Sequence, residues 1–164
     1  MNRFAMLPLT WPSVLSDTLH LGLANLLALP IGWNREREQR SAGLRTFPIV
    51  AVAACGFTML GTSMPGATND SYSRILQGLI TGIGFVGGGA IVRDGINVHG
   101  TATAASIWAA GAIGAAVALG RIEIAIVLAV MDVFTMWALV PIKQRLDRRR
   151  EEVDGPAHRS GNTE

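Results

Sequence analysis

The chain has 164 residues, of which 49% are apolar and only 16% are charged, against roughly 25% charged in an ordinary soluble domain. Its net charge of +2 is too small to indicate nucleic-acid binding, and a single cysteine, Cys55, excludes an internal disulfide and a CxxC site. Only four charged residues lie between positions 46 and 120, which argues against a soluble enzyme, a disordered chain or a coiled coil and indicates a chain that contacts lipid.

Five stretches are apolar, and each is close to the roughly 20 residues that a helix needs to cross a bilayer. They lie at about 13–33, 47–64, 75–92, 101–119 and 122–141. A cleaved signal peptide is disfavoured, because its basic residues should precede the first apolar run, and here most of them follow it. We predict an all-α membrane protein with a bundle of about five transmembrane helices in residues 1–142 and a tail at 143–164.

Lysine and arginine are unevenly divided between the two sides of this five-span arrangement. Loops 34–46 and 93–100 and the tail carry 11 basic residues, whereas the opposite side carries 3. The positive-inside rule then predicts the N-terminus outside and the C-terminus in the cytoplasm. The first part of the tail is basic and suits anionic head groups, and its composition after Val153 is typical of disorder.

The third span is rich in glycine, and the fourth is rich in alanine and glycine. Helices in lipid associate through close backbone contact, which small residues permit. Gly78 and Gly82, and likewise Gly84 and Gly88, are four residues apart, so spans three and four are predicted to form the packed centre of the bundle. In a functional alternative, the run Gly87–Gly89 unwinds and exposes carbonyl groups to a cation or a partner.

Residues 82–87 match the pattern GxGxxG, but they lie within an apolar span, and Ile107 stands where a dinucleotide site needs an acidic residue. No span or loop joins a nucleophile to a base, and no set of histidines and cysteines suits a metal. We therefore predict no catalytic activity, no cofactor and no metal site.

Two polar residues lie deep in the spans, where polar groups are costly and often functional. Asp132 is about 11 residues into the fifth span and Asn25 about 12 into the first, so both lie roughly 17 Å deep. They are expected to hydrogen-bond each other or to line one cavity, with a structural role for Asp132 as the alternative. Asp17 and His20, three residues apart, indicate either a pH-sensitive pair or a solvated helix end.

Loop 34–46 alternates arginine with glutamate, although orientation in the membrane requires only the arginines. Glu36 and Glu38 therefore indicate an ordered, ion-paired loop, and Gly43 indicates a backbone turn within it. We predict that this loop acts as a structural pin or as a docking surface.

Three runs resemble the signatures of the MgtC/SapB family: residues 32–36 with 42–46, residues 82–91, and residues 100–110. The resemblance covers about residues 15–140. It implies a multi-pass protein of the bacterial inner membrane, in a family linked to magnesium homeostasis, stress adaptation and survival inside host phagocytes. Larger relatives carry a cytoplasmic C-terminal domain of the ACT kind, so the resemblance concerns the membrane domain.

The resemblance marks as candidate functional residues Asn34, Arg35, Glu36, Gly43, Arg45, Thr46, Gly82, Gly84, Gly87, Gly88, Gly89, Thr101, Thr103 and Trp108. MgtC-type members are described as restraining the membrane-embedded ATP synthase. We expect a regulatory protein that binds another membrane protein through the small residues of spans three and four, with loop 34–46 as its anchor. The alternative is a small cation (magnesium) transporter or channel, acting as a homo-oligomer, whose ion path uses Asp132, Asn25 and Gly87–Gly89.

Overall fold

The computed structural model describes residues 10–37, 42–64, 68–95 and 97–154, with Asn97 and residues 140–154 described as backbone only. Within them the chain forms five helices: α1 (Trp11–Arg37), α2 (Thr46–Thr62), α3 (Asn69–Gly89), α4 (Thr101–Ala118) and α5 (Ile122–Asp154). An antiparallel hairpin of β1 (Val92–Asp94) and β2 (Asn97–His99) joins α3 to α4. The predicted all-α class with five helices is confirmed.

Three of the helices are long and apolar enough to cross a membrane: α1, α4 and the part of α5 over Ile122–Leu139. Helix α2 is apolar but has only 17 residues, and α3 has 21 residues with polar groups among them. At 1.5 Å per residue, α3 is roughly 31 Å long, about the thickness of the hydrocarbon core. The orientation of the bundle in the membrane stays a prediction.

Helix α4 is the centre of the bundle and contacts each of the other four helices. Its small residues allow this, because a Cβ added at Gly114 would overlap the carbonyl oxygen of Ala51 in α2. Helix α3 packs on α4 and α2 but lies at the edge, and most of its surface is exposed. The prediction that spans three and four together form the centre is therefore wrong for span three.

The turn between α4 and α5 is tight because it ends α4 in a Schellman motif. Gly120 has a φ of +71°, which favours glycine, and its N–H donates to the Val117 carbonyl over 3.0 Å. The Arg121 N–H donates to the Ala116 carbonyl over 2.9 Å. This turn brings α5 back along α4, with Ala125 and Ala129 buried between them and the rest of the bundle.

Helix α5 continues as backbone helix to Asp154, well past the predicted end of the fifth span at 141. The basic first part of the predicted tail thus extends α5. The segment predicted to be disordered falls mostly on residues 155–164, which lie outside the described residues, as does Arg3.

Candidate functional site

A buried polar cluster joins α1, α4 and α5 near the end of α1. The side chain of Arg35 is only 3% exposed, and its Nη2 donates to Ser106 Oγ over 3.3 Å. Ser106 is fully buried, and its hydroxyl faces the Asp132 carboxylate at 3.1 Å from Oδ1 and 3.2 Å from Oδ2. The guanidinium also contacts the sulfur of Met136. One hydroxyl therefore bridges opposite charges on two helices, which reduces the cost of burying either charge.

The chain folds back onto the end of α1 and thereby fixes the turn that carries Arg35. The Leu44 N–H donates to Glu36 Oε2 over 3.0 Å, and a side chain at Gly43 would overlap that carboxylate. A Cβ at Gly32 would lie 3.0 Å from the Leu44 Cα, so the two backbones approach closely. We call Gly32, Glu36, Gly43 and Leu44 the clasp. It confirms an ordered turn at Gly43, while residues 38–41 of the predicted loop lie outside the described residues.

The remaining residues of the first motif surround the clasp. Thr46 begins α2, and its N–H donates to the Gly43 carbonyl over 3.1 Å. Arg45 is exposed at the N-cap of α2, and Asn34 is partly buried on α1. The first motif therefore serves largely to join α1 to α2 and to hold Arg35 inside.

The second and third motifs meet where α3 passes through the hairpin into α4. A Cβ at Gly87 would lie 3.2 Å from the Ala104 carbonyl oxygen, so these helices touch there. Gly100 has a φ of +86°, and a side chain there would overlap the Ala90 carbonyl. Thr103 is buried in α4 with 2% exposure, while Thr101 is exposed in its first turn.

Helix α3 does not unwind at its glycine run. It stays helical to Gly89, and the Gly87 and Gly88 carbonyls accept hydrogen bonds from the Ala90 and Ile91 amides, at 3.0 and 3.1 Å respectively. These carbonyls are therefore engaged by the backbone, and the functional alternative of an unwound glycine run is not found.

The other glycines of α3 face open space. Apart from the neighbouring backbone of α3 itself, no described atom lies within 4 Å of a Cβ built at Gly78, Gly82, Gly84, Gly88 or Gly89. Gly78 and Gly82 line an apolar groove of about 640 Å³ between α2 and α3, whose far wall is formed by Phe57, Leu60 and Met64. We call this the α2–α3 groove. A smaller groove on the other side of α3 includes Trp108, which is 51% exposed.

Asn25 and Asp132 occupy different places. The Asp132 carboxylate binds Ser106, whereas Asn25 lines a groove between α1 and α2 with Thr18 and Val52. Ten residues, or about 15 Å of helix, separate Asn25 from Arg35, which is the α1 residue that reaches the cluster of Asp132. The expected Asn25–Asp132 hydrogen bond is therefore wrong.

Ser106 and Met136 are the residues that sequence reasoning missed. Ser106 lies in the third motif run but was not singled out. Its spacing held a signal, because Thr103, Ser106 and Ala110 recur at the spacing of one helix face and all three are buried. Met136 gave no such signal, since a methionine in an apolar span is unremarkable.

These features define the class: a helical membrane protein with a buried, charge-bearing cluster held by a clasp at the end of its first helix. The model of the MgtC family matches residues 21–145, and the chain belongs to that family. All residues of the cluster and the clasp fall within the matched region.

Curated relatives agree with this assignment. The chain is 36% identical over 137 residues to Protein MgtC of Salmonella choleraesuis (strain SC-B67), over 84% of this chain and 58% of that protein. It is 37% identical over 130 residues to Protein MgtC of Salmonella paratyphi A (79% of this chain, 55% of that protein). Protein MgtC of Brucella abortus (strain 2308) is 34% identical over 139 residues (85% and 58%). The chain thus spans little more than half the length of these relatives, and no solved structure matches it.

Proposed function

We propose that the chain is a multi-pass protein of the bacterial inner membrane that regulates another membrane protein by binding it during magnesium limitation or stress. The observation that carries this proposal is the α2–α3 groove. It is apolar, it lies between two helices of a membrane protein, and its α3 side includes Gly78 and Gly82 at the four-residue spacing that admits a second helix. The proposed occupant is a membrane helix of the partner with small residues on its facing side.

The buried cluster supports this reading over cation transport. A cation path through Asp132 would pass the guanidinium of Arg35, which shares the Ser106 hydroxyl with that carboxylate. A fixed positive charge at this place repels a cation. The Gly87 and Gly88 carbonyls accept backbone hydrogen bonds, which makes them poorer ligands for a cation on that path. We therefore assign the cluster a structural role and the groove the functional one.

Photo-crosslinking from the groove tests the proposal directly. A photoreactive amino acid replaces Phe57, which is 61% exposed in the groove wall, and a second version replaces Trp137, which is 73% exposed on α5. We expect a membrane partner, with the ATP synthase tested first, to be captured from Phe57 and not from Trp137. Equal capture from both positions would contradict a groove-specific contact.

Gly82→Leu should then abolish capture, because its side chain fills the groove without meeting any described atom within 4 Å of its Cβ. Gly22→Leu is the matched control, since Gly22 also faces open space but lies on α1. Gly84→Leu tests the other side of α3, and we expect capture to survive it. Full capture by Gly82→Leu, or a cation flux in proteoliposomes that Asp132→Asn removes, would overturn the proposal in favour of other surfaces or of transport.

A further inference from the structure

A pocket of about 440 Å³ with four polar residues in its lining opens at the end of the bundle opposite Arg35. It lies where α1 begins and where α2 and α4 end, so in a membrane it falls at the level of the lipid head groups. Its polar lining residues are Asp17, His20, Thr62 and Ser63, and its apolar ones include Leu21, Met59 and Leu60. None of these residues belongs to α3, and the pocket shares only Leu60 of α2 with the lining of the proposed docking groove.

Three of the four polar side chains already donate a hydrogen bond to a backbone carbonyl. The Nδ1 of His20 lies 2.8 Å from the Ser16 carbonyl oxygen, so Nδ1 carries the hydrogen of that bond. The Thr62 hydroxyl donates to the Met59 carbonyl over 3.0 Å, and the Ser63 hydroxyl donates to the Leu60 carbonyl over 2.9 Å. With this tautomer, the ring presents the lone pair on Nε2 to a ligand, beside the lone pairs of two hydroxyl oxygens.

The fourth polar side chain, Asp17, is a carboxylate and has only lone pairs to offer. It is also the single acidic residue among those that line the pocket. The pocket therefore combines one negative charge with several hydrogen-bond acceptors, and its side-chain donors are already used.

A ligand that complements this set carries one positive charge and several N–H donors. A primary ammonium group has both, with three N–H bonds, whereas a quaternary ammonium has the charge and no N–H bond. A directly ligated metal fits less well, because no group of three or more His, Cys, Asp or Glu residues in the described parts of the chain is placed to hold one. We propose that this pocket binds a primary ammonium group, supplied by an ethanolamine-type lipid head group or by a soluble amine.

The lipid arm of the test compares head groups that differ only in methylation of the nitrogen. The full chain is released from nanodiscs containing equal amounts of phosphatidylethanolamine and phosphatidylcholine, and retained lipid is measured by native mass spectrometry. We expect phosphatidylethanolamine to be retained about tenfold more, the effect of a charge-assisted hydrogen bond. Asp17→Asn should remove this preference. Asp70→Asn is the matched control, because Asp70 is an exposed carboxylate at the same end of the bundle that binds Arg74 instead.

The soluble arm uses ethanolamine against choline, with binding followed by isothermal titration calorimetry on the full chain in phosphatidylcholine nanodiscs. Ethanolamine binding that Asp17→Asn abolishes supports the proposal and assigns a soluble amine as a source. Preference for phosphatidylethanolamine without ethanolamine binding supports it and assigns the lipid. Equal retention of both lipids together with equal or no binding of both amines would overturn the proposal, as would a preference that Asp17→Asn leaves intact.

Discussion

The glycines of α4 lie in close helix contacts, whereas most glycines of α3, Gly87 excepted, face open space. At Gly114 the α2 and α4 backbones touch, and a Cβ there would overlap the Ala51 carbonyl. At Gly82 and Gly84, in contrast, a Cβ would meet no atom of the described chain within 4 Å. Glycine therefore permits close helix packing around α4, which we call the closed side. Along most of α3 it leaves a surface that no other described helix covers, which we call the open side. A small-residue pattern alone indicates that a helix is able to pack closely, but it does not tell whether the contact lies inside the chain or with a partner.

The polar side chains also differ between the closed side and the open side. On the closed side, Arg35 is buried, Asp132 is partly buried, and both side chains contact the hydroxyl of Ser106. On the open side, Gln77 and Thr81 are exposed along α3, and the Thr81 hydroxyl donates to the Gln77 carbonyl over 2.8 Å. Polar groups on a membrane helix are costly when they face lipid. On the closed side, polar groups hydrogen-bond one another within the chain. On the open side, a partner that covers α3 would keep its exposed polar groups away from lipid and so lower their energetic cost.

The largest effect is expected from breaking the charge cluster on the closed side. Either Arg35→Leu or Asp132→Leu should lower the free energy of unfolding by about 3–5 kcal/mol, because each removes one of the two opposite charges that the buried Ser106 hydroxyl joins. The double variant should cost less than the sum of the two. Unfolding by SDS in mixed micelles measures all three.

The control for this prediction is Arg37→Leu, since Arg37 lies in the same last turn of α1 but is exposed. Its effect should stay within about 0.5 kcal/mol, as for most surface substitutions. Additive effects of the Arg35 and Asp132 substitutions would contradict the coupling that the shared hydroxyl implies.

Much of the fold was predictable because hydropathy and length act locally. The apolar stretches located all five helices to within a few residues at most ends, although α5 continues past 141 as a charged helix. The sequence analysis does not predict the hairpin after α3, although Gly95 directly follows β1 with a φ of +59°, a position where tight hairpin turns favour glycine. Where local chemistry determined the structure, the sequence carried enough information to find it.

The cluster was harder to predict because it depends on contacts between distant segments. The sequence analysis predicts Arg35 in loop 34–46, although Ala24, Ala28, Ile31 and Arg35 recur at the spacing of one helix face and all four are buried. That spacing indicates burial of Arg35 but not its partners. Ser106 is 71 residues away along the chain, and the register of α4 against α1 comes from packing that no local pattern encodes.

A smaller loss of stability is expected from one methyl group on the closed side. Gly114→Ala should destabilise the protein by about 1–3 kcal/mol, the usual cost of overpacking, because the new Cβ would overlap the backbone of α2. The same SDS unfolding assay measures it. An unchanged free energy of unfolding would mean that α2 and α4 separate easily, and that the closed side is not tightly packed.

The smallest effect, and one of opposite sign, is expected from the same substitution on the open side. Gly82→Ala meets no described atom within 4 Å, and alanine loses less backbone entropy than glycine on forming a helix. The free energy of unfolding should therefore rise by up to about 1 kcal/mol in detergent, where no partner covers α3. A loss as large as that of Gly114→Ala would show that the open side is already occupied in the isolated protein, with a second copy of the chain as the available occupant. Analysis of the oligomeric state of Gly82→Ala beside the wild type separates that case from a simple gain in helix stability.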